Sequence, residues 1–310
     1  METKLNYKRT FLIALAFLSI CSFWQMYDNI IPLILQNTYH LGETMTGAVM
    51  ALDNVLAIFL LPVCGMLSDK VHTKLGRRMP FIVVGTILAV IFMMMLPMID
   101  NAEKARWATG GSFSNQVFFL GVLFLTLVSM GLYRSPAVAL MPDVTPNHLR
   151  SRANAVINLM GAVGGVYALI MIKVLVGKGE TPDYLPLFAS IVAVMAIAVG
   201  ILVITIRENK LREEVEKAEA ANADTIEEKA MAEGAEAAGE IEAVGDTGEA
   251  KAFEEKQQTA KTESTKDMPK DVKRSMYFML ASIFLWFTAY NAVTTAFSRY
   301  TKVVWKMEGG

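Results

Sequence analysis

The chain has 310 residues and a mass of 34.1 kDa, with 54% hydrophobic and 19% charged residues, a mean hydropathy of +0.39 and a formal net charge of −1. Soluble globules average about 25% charged residues, so a pair of ordinary soluble domains is excluded, as is nucleic-acid binding through overall basicity, because the basic residues sit in short clusters between apolar runs. Cys21 and Cys64, the two cysteines, both lie in apolar stretches where a thiol acts as a small hydrophobe, which excludes a disulfide framework.

A membrane helix needs about 20 mostly apolar residues, and seven such runs follow in chain order. The first, from Thr10 to Leu35, comes after Lys4, Lys8 and Arg9. Its basic start, and the near miss for a lipoprotein cleavage site at Leu18-Ser19-Ile20-Cys21, suggest a signal peptide. No small-x-small site follows, and the run continues to Leu35, so a retained helix is expected. Within it Trp24, Asp28 and Pro32 recur at i, i+4, with Gln25 three residues before Asp28. An indole beside a carboxylate and an amide suits a sugar, whose C–H face packs on the ring while its hydroxyls bond to the polar groups. A cationic or aromatic drug, or a polar helix contact without a ligand, fits the same face.

The second run, Met45 to Leu67, carries Asp53 with Asn54 beside it near its middle. A carboxylate there is costly unless it faces a cavity or a partner; desolvated it could load and release a proton, and hydrated it could hold sodium. The third run spans Met79 to Met98, and the fourth, Val117 to Met141, contains Arg134. At about 1.5 Å per residue, Arg134 lies about 12 Å inward of Asp53. A permanent ion pair between them is therefore not expected, although one made in a single state of the protein remains open. The fifth run, Ala153 to Val176, holds Gly161, Gly164 and Gly165, which would let a neighbouring backbone come close. The sixth runs from Leu185 to Ile206.

Residues 207–274 are a different material, carrying 12 Lys and Arg against 19 Asp and Glu. Arg207 to about Met231 has good helix formers and i, i+4 pairs such as Glu213 with Lys217, and is expected to prolong the sixth span as a polar helix. The rest has too little apolar content to fold alone and reads as a tether. The seventh run, Ser275 to Ser298, has Trp286 and Tyr290 on one face, Asn291 beside it, then Thr294 and Thr295, which reads as a cavity lining.

Basic clusters before span one and after spans two, four and six fall on one side, so the amino terminus and the linker are expected in the cytoplasm. Arg299, Lys302 and Lys306, after span seven, oppose that rule. The pattern implies an all-α integral membrane protein of the plasma (cytoplasmic) membrane. Residues 1–206 would form a six-helix bundle, 207–274 an acidic linker, and 275–310 the first helix of an incomplete second bundle.

The stretch after span two is the most informative: Gly65, Ser68, Asp69, Lys70, Lys74, then Gly76-Arg77-Arg78-Met79-Pro80-Phe81. Asp69 ends a helix at its negative end, where a carboxylate needs compensation from an arginine or from another helix's amino terminus. A contact of that kind, present only while one side is closed, makes a gate. This glycine–aspartate–Gly-Arg-Arg pattern resembles the signature of the major facilitator superfamily, and its fuller form resembles the sucrose-type glycoside–cation symporters. A second block is similar to their loop between helices four and five: Ser135-Pro136, Ala139-Leu140-Met141-Pro142-Asp143, then Arg150, Arg152, Ala153 and Asn154.

The resemblance implies a twelve-helix fold and cation-coupled sugar symport by alternating access. It implies that Trp24, Gln25, Asp28, Arg134, Tyr290 and Asn291 meet substrate and that Asp53 and Asn54 serve the coupling ion, proton or sodium. The gate would comprise Gly65, Asp69, Gly76, Arg77, Arg78, Asp143, Arg150 and Arg152. The implied partners are a small-molecule substrate, a sugar, together with the lipid bilayer and the missing carboxy-terminal half; no cofactor, resident metal or nucleic acid is implied. The chain departs from the family at Val138, where plant-type sucrose carriers have an arginine, and at Leu61, where melibiose-type relatives have an aspartate.

A drug or metabolite exporter on the same fold is the nearest alternative, but Gly161-Ala-Val-Gly164-Gly165 lacks the proline of the antiporter motif. A seven-helix receptor would have its amino terminus outside. An enzyme is not expected, because His40, His72 and His148 lie in separate loops with no metal-ligand spacing or nucleophile–base pair.

Overall fold

A computed structural model describes residues 5–71, 73–109, 115–177, 182–217, 219–220 and 272–279, with 281, 282, 285, 286, 288, 289 and 293. The described residues are helical apart from short connections and one isolated Thr73–Gly76 bridge. Six helical segments are long and apolar enough to cross a membrane.

The first is α1 (Tyr7–Asn37), capped by the Asn6 side chain, which accepts from the Arg9 amide at 3.2 Å. The second run divides into α2 (Glu43–Met50) and α3 (Leu52–Lys70), which meet at Ala51, so Asp53 falls in the first turn of α3. Next come α4 (Met79–Ala108) and α5 (Gln116–Asp143), then a 3-10 turn, Asn147–Leu149. The remaining spans are α6 (Arg150–Leu175) and α7 (Leu185–Thr205). Prolines lie inside α1, α3, α4 and α5, where each removes a backbone donor from the helix ladder.

Two expectations are corrected. The polar helix does not prolong the sixth span: α7 stops at Thr205, Ile206 turns extended, and a separate helix occupies residues 208–217. This helix packs back on the bundle through Leu211 and Val215, and the compact first unit reaches Glu219. Meanwhile α4 runs about three turns past Met98, because its polar tail is held by other helices. Lys104 Nζ lies 2.6 Å from both Asp100 Oδ2 and the Pro182 carbonyl, and 4.6 Å from the Tyr184 ring. Thr38 donates to Asp100 Oδ1 at 2.6 Å, and Asn101 donates to Asp183 at 2.7 Å. Burial, and then the charge of Asp100, push the Tyr184 phenol up to about 12.

Helix α1 runs through the core, packed mainly on α6 and also on α7, while α4 packs on α5. Phe23, Tyr27, Ile31 and Ile34 of α1 are buried, with Phe119, Tyr133 and Phe188 from neighbouring helices. Lipid tails are as apolar as leucine, so close packing rather than hydrophobicity holds such helices together. At Gly164 a Cβ would collide with the Leu18 carbonyl, and Ser22 donates to the Gly164 carbonyl at 2.9 Å. Gly85 gives the Tyr133 backbone the same close approach. Helix α3 is the least covered, with Ile58, Phe59 and Met66 exposed.

In the second unit residues 272–279 are helical, over the start of the seventh run, and Trp286 is also helical. Tyr290 and Asn291 lie outside the described residues.

Candidate functional site

Polar side chains gather at two levels of the first unit. At the inner level, α1, α3 and α5 enclose a small cleft lined by Trp24, Asp53 and Arg134 among leucines. Arg134 Cζ stands 5.4 Å from the Trp24 ring centroid, a cation–π contact. Among the described residues no carboxylate lies within ion-pairing distance of Arg134, although Asp53 is near enough to attract it. Asn54 donates to Asp53 Oδ1 at 3.0 Å.

Asp28, half-buried on α1, makes no hydrogen bond or ion pair among the described residues and feels the charge of Asp53. Gln25 reaches α6, its Oε1 3.8 Å from where a Cβ on Gly165 would stand. The structure thus brings Trp24, Asp53 and Arg134 together, places Asp28 close by, and brings the Gln25 amide to Gly165 of α6.

Two buried donors in this region, Trp24 Nε1 and the Tyr27 hydroxyl, have no acceptor among the described residues. An unmet buried donor costs about 1–3 kcal/mol. Tyr27 lies within the electrostatic reach of both Asp53 and Asp28. The sequence reading missed it, although a tyrosine three residues after Trp24 and beside Asp28 was the available signal. The cleft holds about 20 Å³, room for about one water molecule.

The second level is the basic end of the bundle, where α3 and α5 finish and α4 begins. Each of the first two ends in an aspartate region, Asp69 near the end of α3 and Asp143 at the end of α5. Arg78, 7% exposed, joins them. Its Nη2 lies 2.7 Å from Asp69, its Nε 2.9 Å from Asp143, and its Nη1 2.5 Å from Ser68 Oγ and 3.4 Å from the Gly65 carbonyl. Arg77 reaches Asp143 at 3.4 Å. Planar guanidinium donors suit such bridging, which a point-charge ammonium cannot copy.

Arg150 donates to the Pro142 and Thr145 carbonyls rather than to a carboxylate, and exposed Arg152 joins none of these contacts. The loop also engages a residue the sequence reading did not single out. The carboxylate of Glu208, 1% exposed, accepts from the backbone amides of Arg77, Arg78 and Met79 at 2.9–3.1 Å. Gly76 adopts φ +125°, and a Cβ there would strike that carboxylate.

Residues 5–307 match the description of the Major Facilitator Superfamily. The chain belongs to that superfamily. It is a multi-pass membrane protein by that membership and by its apolar helices. It is similar to the sucrose transport protein SUT3 of Oryza sativa subsp. japonica, 26% identical over 137 residues, 42% of this chain and 27% of the relative. It is also similar to the sucrose transport protein SUC4 of Arabidopsis thaliana, 36% identical over 117 residues, 35% of this chain and 22% of the relative. The sucrose transport protein SUC3 of the same plant is 24% identical over 151 residues, 46% of this chain and 25% of the relative. In each case the match spans less than a third of the relative's length.

Proposed function

We propose that the chain forms the first half of a secondary transporter that moves a sugar with a cation, proton or sodium, by alternating access. The observation that carries this reading is the meeting of Trp24, Arg134 and Asp53 within the apolar bundle, with Asp28 nearby. An indole face and a guanidinium fit a polyhydroxylated ring, and the carboxylates fit a cation. The similarity to proteins named sucrose transport proteins supports the substrate class. A cleft of about 20 Å³ is far below the roughly 300 Å³ of a small-molecule site, so the second bundle would supply the remaining walls. On this reading the basic end is cytoplasmic, the membrane is the plasma membrane, and the Arg78 cluster closes that side in one state.

The test is uptake of labelled disaccharides into vesicles carrying the full-length protein, with a proton or a sodium gradient imposed in turn. Accumulation under one gradient names the ion. Asp53→Asn should then abolish gradient-driven accumulation while leaving exchange, and Arg134→Ala should lower both by at least about tenfold, the loss of one charge-assisted hydrogen bond. Absence of sugar accumulation under either gradient, with efflux of lipophilic cations instead, would replace the reading with an exporter.

A further inference from the structure

Arg78 can bridge Asp69, Asp143 and Ser68 together only if its backbone holds one place and direction. That backbone is the amino terminus of α4, where the first amides of a helix have no partner inside it. Three of those amides, of Arg77, Arg78 and Met79, donate to the single carboxylate of Glu208, which comes from beyond the end of α7. The negative charge also sits at the positive end of α4.

Gly76 completes the cradle, since its left-handed conformation and missing Cβ leave the space the carboxylate fills. Further ties hold the Glu208 helix across the same end. Asn209 donates to the Thr73 and Lys74 carbonyls at 3.1 and 3.3 Å, Glu214 pairs with Arg9 at 2.7 Å, and Glu219 accepts from the Asn147 amide at 3.2 Å.

We infer that Glu208 is the positioning residue of the Arg78 gate: by holding the Arg77–Met79 amides it aims the Arg78 guanidinium at Asp69 and Asp143, so the gate closes only while the Glu208 carboxylate is seated on those amides. This inference rests on the gate reading proposed above. It assigns the helix at the head of the linker a part in closing that end, beyond connecting two bundles.

Cys64 supplies a built-in reporter. It is 4% exposed and lies one turn from Ser68 on the buried face of α3, directly behind the Arg78 contacts. In full-length protein carrying Cys21→Ser, with any cysteines beyond residue 310 also replaced by serine, alkylation of Cys64 is timed with a membrane-impermeant maleimide applied from the basic end. Arg78→Ala should speed it by about tenfold or more, as expected for loss of at least one charge-assisted hydrogen bond. Glu208→Gln should speed it by a similar factor, because an amide nitrogen then faces backbone donors. Glu214→Gln, which removes only an exposed ion pair of the same helix and leaves Glu208 seated, should leave the rate unchanged.

If Glu208→Gln fails to accumulate as folded protein, Gly76→Ala carries the test, since its methyl group displaces the carboxylate from the opposite side. Faster alkylation in Arg78→Ala with unchanged rates in Glu208→Gln and Gly76→Ala would overturn the positioning role and leave the gate standing. A rate unchanged in Arg78→Ala would overturn the gate and the positioning role with it. Equal acceleration by Glu214→Gln would show general loosening of the helix and would also overturn the assignment.

Discussion

Arg78 shows how one side chain satisfies two helix ends. Asp69 and Asp143 both lie where a helix presents its negative end, and the Arg78 guanidinium pairs with both while donating to Ser68, with Arg77 adding a second positive charge at Asp143. Arg78→Ala should cost about 3 kcal/mol, as breaking a largely buried ion pair does, and Arg78→Lys a part of that. Thermal unfolding in detergent measures both, and an unchanged midpoint in Arg78→Ala would contradict the pairing. At the opposite end, donation from Asn101, and then from the Leu185 amide, holds the Asp183 carboxyl below the usual carboxylate range. A lowered folded value stabilises the fold above the unfolded value of about 3.9, and that contribution disappears as the pH falls through the folded value. Asp183→Asn should therefore flatten the acid side of the stability profile below about pH 4.

Among the elements, the crossing of α1 and α6 depends on a missing side chain. Gly164→Val would drive its Cβ into the Leu18 carbonyl, which belongs to a helix backbone and cannot yield as a side-chain tip does. Overpacking of side chains costs about 1–3 kcal/mol, and a backbone collision should exceed that, so the variant should be lost from the folded, detergent-extractable fraction. Gly121→Ala, with nothing within 4 Å of the added carbon, should behave as the parent. The spans themselves were legible because a run of about 20 apolar residues has few alternatives. So was the close backbone approach at Gly164, whereas Gly161 and Gly165 meet only the Cys21 and Gln25 side chains; the need of Asp69 for compensation was legible too, though not whether an arginine or another helix's amino terminus would supply it. The division at Ala51 was not, because alanine is a strong helix former and no local signal marks it. The extension of α4 was hidden as well: Asp100 and Lys104 look like loop residues until Thr38, Pro182 and Tyr184 arrive from two other helices.

For the whole molecule, the orientation rests on where lysine and arginine cluster. The 12 such residues of the 207–274 segment make trypsin a direct probe. Cleavage there should occur in inside-out vesicles and not in right-side-out ones; the reverse result would invert the topology. In the candidate site, Trp24, Asp53 and Arg134 could be chosen from sequence because charge and indole are rare at such depth. Their grouping could not, since it depends on how three helices rotate about their axes, and Gln25 shows the consequence by reaching Gly165 of α6. Glu208 was invisible for another reason. It sits in a stretch of alternating charge where nothing local separates it from its neighbours, and its partners lie about 130 residues earlier.

That separation along the chain also sets an order in time. A nascent chain emerges amino terminus first and its domains fold as units, so the amides of Arg77, Arg78 and Met79 are made long before the carboxylate that receives them. They wait uncapped while α4, α5, α6 and α7 are synthesised and inserted. Only when residue 208 has left the ribosome and turned back does the loop acquire its acceptor. The loop therefore receives its acceptor late in the making of the first bundle, yet before any helix beyond the linker has been translated.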